Sequence, residues 1–216
     1  MEHHFATSPI LGKVTDNQDP DKLARVKVLV SVMGEDIETD WIPVMSMYAS
    51  TTCGALFIPE VDDQVLVAFM GDNPNRGVVL GSVWHENQLP PETQENSASD
   101  LNKDGENNLR FIKSRSGNMI IMDDKSGEEK LQIINADGKT RFEFLTKDKL
   151  LSIKTDKGFY LSAKQGISIE AKECKFLIKK GLKIEAGDIA MTSKSADVKI
   201  KASNAVAIEG SAIKLN

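Results

Sequence analysis

Aromatic residues make up only 6% of this 216-residue chain, which has two cysteines and three histidines. Each shortage excludes something. With so few rings, thin and repetitive β-structure is expected rather than one large globular core. Cys53 and Cys174 are too few and too far apart for a disulfide framework, so both are expected to be free thiols, buried or half-buried. No apolar run approaches the roughly 20 residues that a membrane helix needs, and no charged n-region followed by an apolar h-region opens the chain. Positive charge is also short. Lys and Arg number 27 against 32 Asp and Glu, for a net charge of -5, so the clustered positive field of a dedicated nucleic-acid binder is missing.

The scarcity of histidine bears on chemistry. His3 and His4 lie in a polar start and have no third ligand in view, which reads as a docking or disordered segment rather than a metal site. A Ser–His–Asp triad would have to be built on His85, and no nucleophile elbow accompanies it. His85 is better read as a cap on the strand before it. Asp123 and Asp124 lack the ligand series of a calcium loop and read as a solvated turn. Lys179 and Lys180 read as an outward edge. Trp41 and Trp84 could stack on bases, but in an acidic chain they are expected to pack in a barrel or against a neighbouring subunit. No enzyme, cofactor or metal is expected.

What the chain does have is alternation. Beyond residue 158, apolar side chains recur every second position: Phe159 and Leu161, then Ile167 and Ile169, Cys174, Phe176 and Ile178, and Leu182 and Ile184. Val198 and Ile200, Val206 and Ile208, and Ile213 and Leu215 continue the pattern, with Lys, Glu, Ser, Thr and Asp between. A period of two marks a strand with one buried face. The pattern breaks at Gly166, Gly181, Gly187 and Asn204 and then resumes. Residues 167–171, 182–186 and 198–202 are near copies of one another. A spacing of roughly eight residues fits a β-solenoid rung. A rung that short cannot bury its own inner face. Copies wound about a shared three-fold axis can, and they also protect strand edges. The expected trimer core is Ile167, Ile169, Phe176, Ile178, Leu182, Ile184, Val198, Ile200, Val206 and Ile208.

The first part of the chain predicts strands over 10–15, 24–32, 41–44, 56–60, 64–69 and 78–84. A turn cluster is expected at 16–21, an acidic loop at 34–40, a loop at 51–55 and a hairpin loop at 71–77. Six short strands with no amphipathic helix between them suggest a small OB-like barrel. Residues 85–105 are polar and hold Pro90 and Pro91, which reads as a linker. Strands are then expected over 109–113, 118–122, 130–134, 140–145 and 150–155. The expected division is a collar at 1–88, a linker at 89–107 and a spike at 108–216. The fold class is all-β, an N-terminal OB-fold barrel followed by an intertwined trimeric β-helix.

An ordered series of short motifs runs through the barrel: Asp19, Pro20, Asp21, Lys22, Leu23 and Arg25; Trp41, Ile42, Pro43 and Val44; Phe57, Ile58, Pro59, Glu60 and Val61. Val65, Leu66 and Val67 follow, then Gly71, Arg76, Val79, Leu80 and Gly81, with Ser116, Gly117 and Asn118 beyond the linker. This series resembles the central spike proteins of contractile injection systems, the VgrG family and phage baseplate assembly protein V. Asp62 stands where that family usually has Gly, and Gly77 where Pro is common.

The resemblance implies a homotrimeric, non-enzymatic, membrane-piercing spike in the short form without the hub domain. It would be assembled in a bacterial cytoplasm and act at a target envelope. A hub or baseplate protein would dock at the OB end. A tip protein similar to the PAAR-repeat family would sit on Ala212, Ile213, Lys214, Leu215 and Asn216, where the strand pattern stops in mid-course. Some spikes in that family hold an axial metal through a His-x-His near the tip. No histidine follows His85, so none is expected here. Two other readings stand beside this one, an OB-type nucleic-acid binder and a surface adhesin built on a monomeric β-solenoid.

Overall fold

The computed structural model describes residues 8–71, 73–93 and 105–214, and the described residues are all-β apart from one 3-10 turn at Pro74–Arg76. Contacts divide the chain into two units, Met1–Tyr160 and Leu161–Asn216. The expected N-terminal segment with His3 and His4 lies outside the described residues, as does most of the linker.

Eight strands build the first half: β1 (Ile10–Asp16), β2 (Arg25–Val32), β3 (Glu35–Glu38), β4 (Ile42–Pro43), β5 (Ala49–Ser50), β6 (Cys53–Gly54), β7 (Gln64–Phe69) and β8 (Gly77–Ser82). They pair in the order β3-β2-β1-β7-β8, and β4 also pairs with β2. Beyond β4, Val44 makes a parallel bridge to Val79 on β8, and Met45 N–H donates to the Val79 carbonyl at 2.8 Å. The ring β1-β2-β4-β8-β7 is therefore closed, and closure removes edges. Alternation along β2 and β7 turns one set of side chains inward. Val14, Val26, Val28, Val30, Ile42, Val65, Val67 and Val79 are 0–1% exposed. Branched aliphatics suit this pleated interior, and each contributes about 1.5–3 kcal/mol by its burial.

Three expectations need correction. Residues 34–40 are not simply an acidic loop, because they contain β3. Met33 and Gly34 both have positive φ, 52° and 87°. Val32 pairs with Glu35 across them, the geometry of a two-residue hairpin. Charge does not prevent this, since Glu35, Asp36 and Glu38 face solvent on an edge strand and deter further pairing. Residues 51–55 are likewise not a plain loop, because Ala49 pairs with Gly54 and Ser50 with Cys53 in a small hairpin. Residues 56–60 have no ladder partner among the described residues. Their run of apolar residues was expected to be a short strand, but it joins no sheet among the described residues.

The turn cluster between β1 and β2 is organised by one carboxylate. Asp19, with a side chain only 3% exposed, accepts from the backbone N–H groups of Asp21 at 3.0 Å and Leu23 at 2.9 Å. It also receives Arg25 in a fork, Nε at 3.0 Å and Nη2 at 2.7 Å. This fork, with the backbone donors, holds the Asp19 carboxyl well below the usual carboxylate range and pushes the Arg25 guanidinium up. Asp62, in the turn before β7, has φ of 74°. The departure from Gly therefore keeps the left-handed backbone that Gly adopts freely and Asp tolerates.

Five further strands, β9 (Leu109–Lys113), β10 (Met119–Asp123), β11 (Lys130–Ile134), β12 (Arg141–Leu145) and β13 (Leu150–Lys154), form an antiparallel meander in sequence order. They match the strands expected from the sequence to within a residue or two. After Lys154 no strand is present among the described residues. The chain there is irregular, with bends at 156–157, 164–165, 172, 179–180, 187, 194–196, 203–204 and 211. That is one bend about every eight residues, the spacing the repeat predicted. A strand is defined by its ladder, and a single copy of the tail offers no partner to complete one.

Two outcomes are expected. Gly12 faces the barrel interior, where an added Cβ would stand 2.5 Å from Val28 Cγ1, 2.7 Å from Val30 Cγ1 and 2.9 Å from the Leu29 carbonyl oxygen. Gly12→Ala should therefore cost about 1–3 kcal/mol, read as a lower unfolding midpoint in urea. Asp19 is expected to be ionised in the fold at pH values where the unfolded chain has bound a proton. Its contribution is complete above about pH 4 and is lost as pH falls through its lowered native value. Acid titration monitored by circular dichroism should show wild type losing stability below pH 4 more steeply than Asp19→Asn.

Candidate assembly surface

Pairing in the meander sorts its side chains onto two unlike faces. On one face, Ile112 pairs with Ile120, Ile120 with Ile133, Ile133 with Phe142 and Phe142 with Ile153. Beside this row, Met122 pairs with Leu131, Leu131 with Phe144 and Phe144 with Leu151. Two apolar rows thus cross the sheet. Phe142 and Phe144 meet edge-to-face at 5.1 Å. A shallow depression of about 480 Å³ lies along the first row. Every member except Phe142 is 40–52% exposed. Together they present roughly 800 Å², more than the largest apolar patch of an ordinary monomer.

The other face is mixed, with Leu109, Phe111, Met119, Ile121 and Ile134 forming a small cluster at one end. Asp123 Oδ2 lies 3.6 Å from Lys130 Nζ. Gln132 Nε2 donates to Glu143 Oε1 at 2.7 Å. Arg141 and Lys154 each approach Glu143 at 3.6 Å. Asp123, Gln132 and Glu143 are buried. The expectation that Asp123 lies in a solvated turn is therefore corrected. Asp123 is the last residue of β10, paired to Lys130, and accepts from the Lys125 N–H at 3.0 Å. Asp124 alone is in the exposed turn, 2.5 Å from Arg110 Nη1.

The tail repeats the apolar face without a sheet. Every described residue from 156 onward is exposed, including all ten expected core residues, Ile167 through Ile208. Ala212, Ile213 and Lys214 are exposed, while Leu215 and Asn216 lie outside the described residues. Ile189 and Met191 continue the stripe and were missed, although they sit seven residues on from Leu182 and Ile184. The rows on β9–β13 were missed too. The same alternation ran through 109–154, but it does not say which of a strand's two faces is left uncovered.

The remaining candidates scatter. Cys53 and Cys174 are both exposed, against expectation. Cys53 sits at the start of β6 with its Sγ 3.3 Å from Tyr48 Oη, and Cys174 belongs to the uncovered tail stripe. Trp41 is partly covered, with Lys27 Nζ 5.5 Å from its ring centre, whereas Trp84 is exposed. His85 follows β8 in a tight turn, bonded to Gln88 through both backbone groups, and its Nδ1 accepts from the Asn87 N–H at 3.3 Å. Lys179 and Lys180 occupy a bend. The described residues hold no group of three or more His, Cys, Asp and Glu placed to hold a metal ion. None of their helices is long and apolar enough to cross a membrane.

Comparison with known proteins follows the same outline. The family described as the type VI secretion system/phage-baseplate injector OB domain matches residues 10–84, the span from β1 to just past β8. The type VI secretion system spike protein VgrG1a of Pseudomonas aeruginosa is 26% identical over 136 residues, 59% of this chain and 20% of that protein. VgrG4b of the same organism is 30% identical over 123 residues, 51% of this chain and 15% of that protein. The matched stretch thus spans about a fifth or less of each relative's length.

Proposed function

We propose that this chain, whose residues 10–84 match the injector OB-domain family of type VI secretion systems and phage baseplates and which is similar to VgrG spike proteins, is the structural spike of a contractile injection machine, acting as a homotrimer. The collar is residues 1–88, joined by 89–107 to a needle at 108–216. The observation that carries this reading is a contrast within one molecule. The barrel interior is complete at 0–1% exposure, while the β9–β13 rows and the whole tail stripe stand uncovered. Three copies turned about one axis cover those surfaces with each other. The octad bends then become the corners of a three-sided prism, and each six-residue stretch becomes one wall segment.

The role is mechanical. Five meander strands and eight tail stretches, stacked at roughly 4.8 Å, make a rod on the order of 60 Å long. Axial load is spread over continuous hydrogen bonds and a dry core rather than one small contact. The outward Lys, Glu, Ser and Thr side chains keep the rod soluble. A hub or baseplate protein holds the collar, and a PAAR-like tip protein docks on residues 212–216. The particle is assembled in the bacterial cytoplasm, and contraction of a sheath drives the rod through a target envelope. The work comes from the sheath, so the spike itself needs no cofactor and performs no catalysis.

Sedimentation of the purified chain at micromolar concentration tests this. Wild type should run as a trimer. Ile133→Asp and Ile184→Asp each place a charge on the axis three times over. An unpaired charge in a dry core is very costly, so both variants should lose the trimer while the barrel still folds. A wild-type chain that sediments as a well-folded monomer would falsify the proposal and favour the solenoid adhesin. For the tip, deletion of 212–216 should abolish capture of a PAAR-like partner, and undiminished capture would count against that site.

A further inference from the structure

We propose that the excursion between β4 and β7, residues 44–60, is a second contact between copies, located in the collar and separate from the needle. This rests on the trimeric reading above. The excursion carries the most exposed apolar surface of the barrel domain. Met47 is 86% exposed and Phe57 61%, and Met45, Tyr48, Leu56 and Ile58 stand beside them. A cavity of about 250 Å³ opens between the two arms, walled by Val44 and Met45 on one side and Phe57 to Pro59 on the other.

This surface is held rigidly rather than left as a loose loop. Ser46 Oγ donates to the Ala55 carbonyl at 2.5 Å, and Ala55 N–H donates to the Tyr48 carbonyl at 2.9 Å, closing the base of the β5–β6 hairpin. Any Cβ at Gly54 would stand 2.6 Å from the Tyr48 carbonyl oxygen, so only glycine lets the arms approach this closely. Below the hairpin, residues 56–58 have no ladder partner among the described residues. Preorganised apolar side chains beside backbone that joins no ladder make a surface suited to a polypeptide.

Two observations select a second copy as the occupant. The first is area. Met45, Met47, Tyr48, Leu56, Phe57 and Ile58 expose roughly 800 Å², about what one partner contributes to a standard interface. The second is continuity. Arg115, in the β9–β10 turn, lies 3.3 Å from Glu60 at the foot of the excursion. The same turn contributes Ser114 and Asn118 to the depression on the apolar face of the meander. Glu60, at the foot of the excursion, therefore lies beside the turn that rims the meander's apolar face, and copies joined through that face as proposed above would meet at residues 44–60 as well.

A photo-reactive benzophenone residue in place of Met47, in the full chain, tests this. Asp36 on the outer face of β3 serves as the control position. After trimers are isolated and irradiated, Met47 should give covalent dimers and trimers, with the linked peptide inside 10–84 of another copy, and Asp36 should give none. Trimers that form normally yet yield no cross-link from Met47, or equal yields from both positions, overturn the collar contact and leave the spike reading standing. A chain that stays monomeric overturns both.

Discussion

A β-strand can hide an apolar side chain only against a second layer, and this chain supplies that layer for less than half of its length. In the barrel the sheet curls until its inner face meets itself, with β4 and β8 making the last join, and eight branched aliphatic residues vanish from solvent. The meander is an open sheet of five strands whose apolar rows face nothing. The tail lacks even the sheet. The three regions share one alternating code, so the difference between them lies in what stands opposite the inward residues. That is why the barrel has a closed core while the described residues of the meander and tail leave their apolar rows uncovered.

Alternation was also what made the chain legible. Strands β1, β2, β7 and β8 and the whole meander fell where the sequence reading placed them, and the eight-residue rhythm of the tail reappeared as regularly spaced bends. The misses have a common cause. β3 is written in Glu and Asp, and β5 and β6 in Ala, Ser, Cys and Gly, so no apolar face announced them. They exist because turns at Met33–Gly34 and Thr51–Thr52 fold the chain back on itself. Residues 56–60 erred in the opposite sense, since their apolar run was expected to be a strand and lacked a neighbour among the described residues. Periodicity reports a side chain's preference, and pairing depends on geometry beyond the segment.

The candidate site was half visible for the same reason. The tail residues could be named in advance because their polar partners are Lys, Glu and Ser, leaving no doubt about the face that seeks cover. In the meander both faces carry apolar groups. Met119, Ile121 and Ile134 lie on the covered face, and Ile120, Ile133 and Phe142 on the open one. Only strand register separates them. The motif around Asp19 and Arg25, by contrast, was readable as a series but not as a mechanism. It is a folding device, a carboxylate that gathers three backbone donors and one guanidinium to turn the chain from β1 into β2.

The polar pairs on the covered face of the meander bear on how the open face is kept open. A slip of one residue in any hairpin would exchange the two faces. It would carry Asp123, Lys130, Gln132, Glu143 or Arg141 onto the face of the apolar rows and leave Ile or Phe in their place. Within the native register Glu143 is met by Gln132, Arg141 and Lys154 at once, and Asp123 by Lys130. Such pairs add little net stability, because desolvation offsets most of their attraction. Their effect is on the alternatives. A slipped sheet would separate buried charges from their partners and place others in a dry contact, costing several kcal/mol for each uncompensated group. The polar ladder therefore fixes which face the apolar rows occupy, and through that, which face of the meander is left uncovered.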